Sequence, residues 1–247
     1  MIVPLTWRYF LAFFCLGALM GMSHELAHHV TGFLVCGEWG QKTFNSFQLA
    51  PGCREAHPGT FWIATVMGPL LFNYLPSWIG VAFMRNPDPG ARLFGVSLVL
   101  STVPALRLFA AIVGGDEQWL GRLHFGHSTL VYWVVVCGVI VVTLPPLVVA
   151  WQTIQNRFKP LVFGLLFLGV PLIVFFLVGK LLEDLIIERK VLPDTIWGMS
   201  YMVLLAEVLA TIGYAMLKES LWQPGRSGRP RGGAPTRDAA DHATGVS

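Results

Sequence analysis

The chain has 247 residues, of which 54% are hydrophobic and 13% charged, with a mean hydropathy of +0.61. Soluble domains carry about 25% charged residues, so this composition is that of a polytopic membrane protein, and no stretch between apolar runs is long enough to build a water-soluble core. The formal charge of +3 comes mostly from the C-terminal tail, and no basic patch or stripe of the kind that binds nucleic acid is visible.

About twenty apolar residues are needed to cross the hydrocarbon core. Six segments qualify: 8–35, 61–84, 92–113, 128–151, 160–182 and 195–217. The first resembles a signal peptide at its start, but it runs on through HELAHH without a small-residue cleavage pattern and reads as a retained helix. The joins carry turn chemistry: Arg85 to Gly90 (RNPDPG), Gln155-Asn156-Arg157 with Lys159-Pro160, and a charged connection from Glu183 to Asp194. Prolines recur within the spans, at Pro69, Pro76, Pro104, Pro145, Pro146 and Pro171, and predict kinks. From about Leu221 the chain turns Gly-, Pro-, Arg- and Ala-rich, which predicts a disordered tail over 221–247. The expectation is an all-α, multi-pass integral protein of the plasma or inner membrane, with six transmembrane helices and the lipid bilayer as its first partner. No internal repeat is visible.

The four cysteines form no CxxC pair. Cys15 and Cys137 fall in apolar spans, where a thiol acts as a small hydrophobe. Cys36 and Cys53 share one loop and can pair if that loop faces an oxidising compartment; their spacing alone leaves the matter open. Six spans put both termini on one side, with Arg8, Arg85, Arg92, Arg157, Lys159, Lys218 and the tail arginines. Lys42, Arg54, Arg122, Lys180, Arg189 and Lys190 lie on the other. The positive-inside rule then favours cytoplasmic termini, with almost all of the bias supplied by the tail.

The chemistry-bearing motif is His24-Glu25-Leu26-Ala27-His28, an HExxH pentad inside the first span. Four residues apart on a helix, the two imidazoles project from one face and can grip a zinc ion, while Glu25 is placed to take a proton from water. Ionisable groups cost about 2.5–3.5 kcal/mol each mid-membrane, which disfavours the bland reading of a chance polar cluster between helices. His29 points off the ligand face and is read as incidental.

A catalytic zinc needs a third protein ligand. The third span runs parallel to the first and ends in Val113-Gly114-Gly115-Asp116-Glu117, so Asp116 approaches the same side and the glycines let the backbone fold inward. Glu117 is the adjacent rival; His57, His124 and His127 are lower-ranked ligands in loops on that side. Asn73 in the second span falls about 18 Å in, near the level of the histidines. Its carboxamide is suited to a peptide carbonyl or an oxyanion, with an interhelical hydrogen bond as the equal alternative. Arg107 and Glu207 are the remaining buried charges. Their pairing is the structural expectation, and Arg107 polarising substrate or pairing with Asp116 is the functional one.

HELAHH in the first span, Gly68, Pro69 and Asn73 in the second, and a glycine-flanked Asp116 closing the third together resemble the site-2 protease family of intramembrane zinc metalloproteases. The resemblance covers roughly residues 8–120, and the three later spans look generic. It implies a metalloprotease core over 1–120, further helices over 121–220, zinc held by His24, His28 and Asp116, Glu25 as general base, and a transmembrane protein segment as substrate. It departs from the family around Asp116: Gly-Gly precedes it, Glu follows it, and Arg107 stands roughly where the family has Asn. The family's usual orientation places the zinc-side loops in the cytosol, opposite to the charge count, and a Cys36–Cys53 disulfide is not expected there. The segment Thr43 to Ala50 (TFNSFQLA) alternates loosely and suits a strand or re-entrant element that pairs with substrate. The competing function classes are a non-catalytic metal-binding scaffold and a haem- or metal-transport protein using the same histidines.

Overall fold

The computed structural model describes residues 1–225 apart from Glu188, Lys190 and Pro193. The chain is mostly helical, and six helices are long and apolar enough to cross a membrane, as the hydropathy pattern predicts. The first two are α1 (Trp7–Cys36) and α2 (Ile63–Met84). The third crossing, Pro89–Phe125, is divided into α3 (Pro89–Ser101), α4 (Pro104–Val113) and α5 (Asp116–Phe125). Then come α6 (Thr129–Thr153), α7 (Lys159–Leu185) and α8 (Tyr201–Leu217).

α1 is apolar around its whole circumference, so its low-cost position is the middle of the bundle. It packs there against α2, α3, α7 and α8, with Tyr9, Phe13, Leu16 and Met22 in the core. Tyr9 lies 3.0 Å from Ser97 through their hydroxyls, a polar fastener between α1 and α3.

The prolines act more specifically than as simple kinks. In α2 the turn Leu70–Tyr74 is a π turn, and in α7 so is Leu165–Gly169. Each ends two residues before a proline, Pro76 and Pro171, whose missing N–H cannot bond the carbonyl four residues back. Widening the preceding turn accommodates that gap, and it also rotates Asn73 within α2.

Two predicted spans are corrected. The third is not one rod over 92–113: it breaks at Thr102–Val103, because Pro104 disfavours helix at the residue before it, and Val103 adopts a left-handed φ of 49°. Leu106 and Arg107 both turn their N–H groups to the Val103 carbonyl, and Asn73 Nδ2 donates to the Thr102 carbonyl at 2.7 Å. The sixth is not helical from 195. Thr195–Ile196 (β1) pairs antiparallel with Met199–Ser200 (β2), and the Ser200 side chain caps α8 by accepting from Val203 N–H.

The predicted disordered tail is also corrected at its start. Leu221 is fully buried, Trp222 stacks on Phe94 with ring centroids 4.5 Å apart, and Gly225 N–H donates to the Ile2 carbonyl. The rest of that tail, 226–247, lies outside the described residues.

Candidate metal centre

His24, Glu25 and His28 occupy consecutive turns of α1, and among the described residues they form the one cluster of three or more metal-ligating side chains. His28 is 1% exposed and His24 8%. His28 Nδ1 faces the Ala64 carbonyl at 2.6 Å, and a carbonyl only accepts, so Nδ1 carries the proton and donates. That fixes the tautomer and turns the Nε2 lone pair inward, the arrangement that second-shell carbonyls impose on metal-ligating histidines. Phe47 stacks on the other face of the ring at 4.5 Å. Gly68 makes this fit possible: a Cβ there would overlap the His28 ring.

Asp116 comes to these histidines from α5. Gly114 has a φ of 116°, a conformation few L-residues adopt, and it ends α4 so that the chain turns inward before Asp116 starts the next helix. Asp116 Oδ2 lies 3.3 Å from His24 Nε2 and 3.7 Å from His28 Nε2, and the two nitrogens are 2.9 Å apart. Ligand atoms about 2.0–2.2 Å from a tetrahedral zinc stand about 3.3–3.6 Å from one another. The three atoms converge to 2.9–3.7 Å of one another, near that spacing, and their chemistry suits one small cation. The Asp116 carboxylate and the His28 Nε2 lone pair both point to this spot, and a cation between them would offset their repulsion.

Glu117 turns elsewhere: it accepts from the Tyr74 hydroxyl at 2.6 Å and lies 3.5 Å from Arg107. His57, His124 and His127 are not in the cluster, and the His124 ring packs edge-on against Trp62. His29, read as incidental, bonds the Trp197 carbonyl through Nε2 at 2.7 Å and stacks on Trp39. Asn73 is 4% exposed and makes the interhelical bond to Thr102, yet its buried Oδ1 has no partner among the described residues, and the residue lines the same cavity as His24 and Glu25.

The expected Arg107–Glu207 pair does not form. Arg107 donates to Asp116 Oδ2 at 3.0 Å, because the fold of α4 onto α5 at the glycines brings residues nine apart into contact. Glu207 is taken by Lys42 Nζ at 2.8 Å. Counted from sequence as a loop cation, Lys42 is 2% exposed.

Lys42 is buried because the loop between Cys36 and Cys53 re-enters the bundle. Phe44 packs in the core, Asn45 Nδ2 bonds the Gly179 carbonyl, and Phe44 N–H donates to Glu183. The loop turns back on itself through Thr43 N–H to the Ser46 carbonyl and Gln48 N–H to the Gln41 carbonyl. Its outer edge is occupied: Lys42 N–H donates to the Gly198 carbonyl of the β1–β2 hairpin at 2.9 Å. Of the two expected forms, a strand or a re-entrant element, the segment takes the re-entrant one, and a strand pairing at Lys42 would have to displace the hairpin. Sequence reasoning missed Lys42, Phe47 and Ala64; the alternating apolar pattern of TFNSFQLA was the available signal for Phe47.

Two cavities flank the cluster. The larger, about 1020 Å³, is an apolar cleft between α1, α4 and α7 into which His24, Glu25, Asn73 and Arg107 project. The smaller, about 570 Å³, lies under the re-entrant loop and is lined by Gln48, Arg54, Glu55, Thr65, Asp116 and Trp119. Comparison with protein-family models, with curated proteins and with solved structures gives no match to this chain.

Proposed function

We propose that the chain is an intramembrane zinc metallopeptidase, a divergent relative of the site-2 proteases, set in a plasma or inner membrane. It hydrolyses peptide bonds in or near transmembrane segments of protein substrates. The observation that carries this reading is the convergence of Asp116 Oδ2 on two inward-facing imidazole nitrogens, beside Glu25, at the wall of an apolar cleft.

His24, His28 and Asp116 are the residues that would hold the metal. Zinc bound by two histidines and a carboxylate supplies Lewis-acid polarisation of a carbonyl and activation of water. Glu25 follows His24 on the helix and faces the cleft, so its carboxylate can take a proton at the reacting centre and return it to the leaving amine. Asn73, with one amide atom unpartnered among the described residues, and Arg107 line the same wall and can hold the substrate carbonyl. The cleft is apolar enough to take a membrane segment. A helical segment must unwind to present its peptide bond, since its carbonyls are otherwise bonded within the helix.

Protein purified in detergent is expected to hold about one zinc ion per chain and to cut a transmembrane-segment reporter, with chelation abolishing cleavage and added zinc restoring it. Purified protein that binds no zinc, or cleavage indifferent to chelation, overturns the reading. Asp116→Ala should release the metal while Glu117→Gln keeps it, as read by metal analysis. Gly68→Ala pushes the His28 ring out of place and is expected to lower zinc affinity about 10–100-fold, measured by chelator competition. Gly138→Ala, where an added Cβ meets nothing within 4 Å, should leave it unchanged.

A further inference from the structure

Cys36 is the last residue of α1 and Cys53 the first of the helical turn Cys53–Ala56, and the two are joined in a disulfide with their Cα atoms 5.4 Å apart. The bond closes the base of the re-entrant loop, whose Phe47 covers His28 and whose Phe44 reaches the core. Disulfides persist in oxidising compartments and are rare where thioredoxin and glutathione keep thiols reduced. The other two cysteines, Cys15 and Cys137, are free.

Charge agrees with this, independently of the cysteines. Once Lys42 is recognised as buried against Glu207, it no longer counts as a loop cation. By sequence, the loop cations left at the histidine end are then Arg54, Arg122, Lys180, Arg189 and Lys190. The opposite end carries Arg8, Arg85, Arg92, Arg157, Lys159 and Lys218, with Asp88 and Glu219 as its acids. Positive charge gathers at the cytoplasmic ends of spans.

We infer that the end of the bundle bearing the histidine cluster faces an oxidising compartment outside the cytosol, and that the Cys36–Cys53 disulfide formed there holds the re-entrant loop over the cluster. This is the reverse of the orientation that the family resemblance implies. The smaller cavity, walled by Cys53, Arg54 and Asp116, then admits water and cations of that compartment to Asp116. The inference stands on the disulfide and the charge distribution, so its test is independent of whether the chain cuts peptides.

The test uses the full chain, expressed in intact cells on a Cys15→Ala/Cys137→Ser background. Cells are quenched in acid and the protein is denatured and reacted with a mass-tagged maleimide. No label is expected without reductant, and two labels after treatment of the intact cells with a membrane-impermeant phosphine. Two labels without reductant overturn the inference. A second measurement adds one cysteine at an exposed loop: His127→Cys at the histidine end or Asn86→Cys at the other. An impermeant maleimide should reach the first in intact cells and the second only after lysis; the opposite pattern overturns the inference, even if the disulfide resists the phosphine.

Discussion

Glu25→Gln is expected to leave the zinc content of the purified protein unchanged while lowering cleavage of a transmembrane-segment reporter by about 10²–10⁴-fold, the range general acid–base groups contribute. The substitution keeps the size and shape of the side chain and leaves in place the three atoms that converge, His24 Nε2, His28 Nε2 and Asp116 Oδ2. What it removes is the proton acceptor at the wall of the apolar cleft. His28→Ala, by contrast, removes a ligand and should lose metal and cleavage together. The split between the two variants separates a base from a ligand, which activity alone does not do. Equal cleavage by Glu25→Gln and the parent protein would falsify the proposed mechanism. Zinc binding with no cleavage by either protein would favour the non-catalytic scaffold.

Lys42→Met is expected to destabilise the fold by about 3–5 kcal/mol, because it strands the Glu207 carboxylate inside the bundle without its cation. The Lys42 side chain is fully buried and that of Glu207 is 18% exposed, so solvent offers little relief. The pair also ties the re-entrant loop to α8, and Phe47 on that loop packs against His28. Loss of the tie should therefore weaken zinc binding as well as lower the thermal midpoint in detergent. Lys42→Met combined with Glu207→Leu should recover most of the stability, since removing both charges leaves nothing unpaired. If Lys42→Met unfolds at the parent temperature, the ion pair is not what anchors the loop.

Much of the site was legible because its parts lie close in sequence. His24, Glu25 and His28 needed only helical spacing to be placed on one face. Spacing ranks Asp116 ahead of Glu117, and the fold separates them: Asp116 Oδ2 reaches the two imidazoles while Glu117 accepts from Tyr74. Arg107 and Glu207 illustrate the opposite case. Both were recognised as buried charges, yet their partners depend on how a glycine pair folds α4 onto α5 and on a loop that dives inward. Neither is encoded in the local pattern of charges.

By itself the sequence determined the six apolar crossings, the zinc-type pentad inside the first, and the residues that close the third, because hydropathy and helical period act locally. The prolines wrote π turns and a break into the spans, though only the backbone shows which carbonyls each one frees. Tertiary structure alone decided that the loop 37–52 re-enters the bundle, that Lys42 pairs with Glu207, and that Cys36 meets Cys53. Each of these is a contact between segments distant in sequence or across a turn. Its free energy depends on burial and on the neighbours the whole fold supplies.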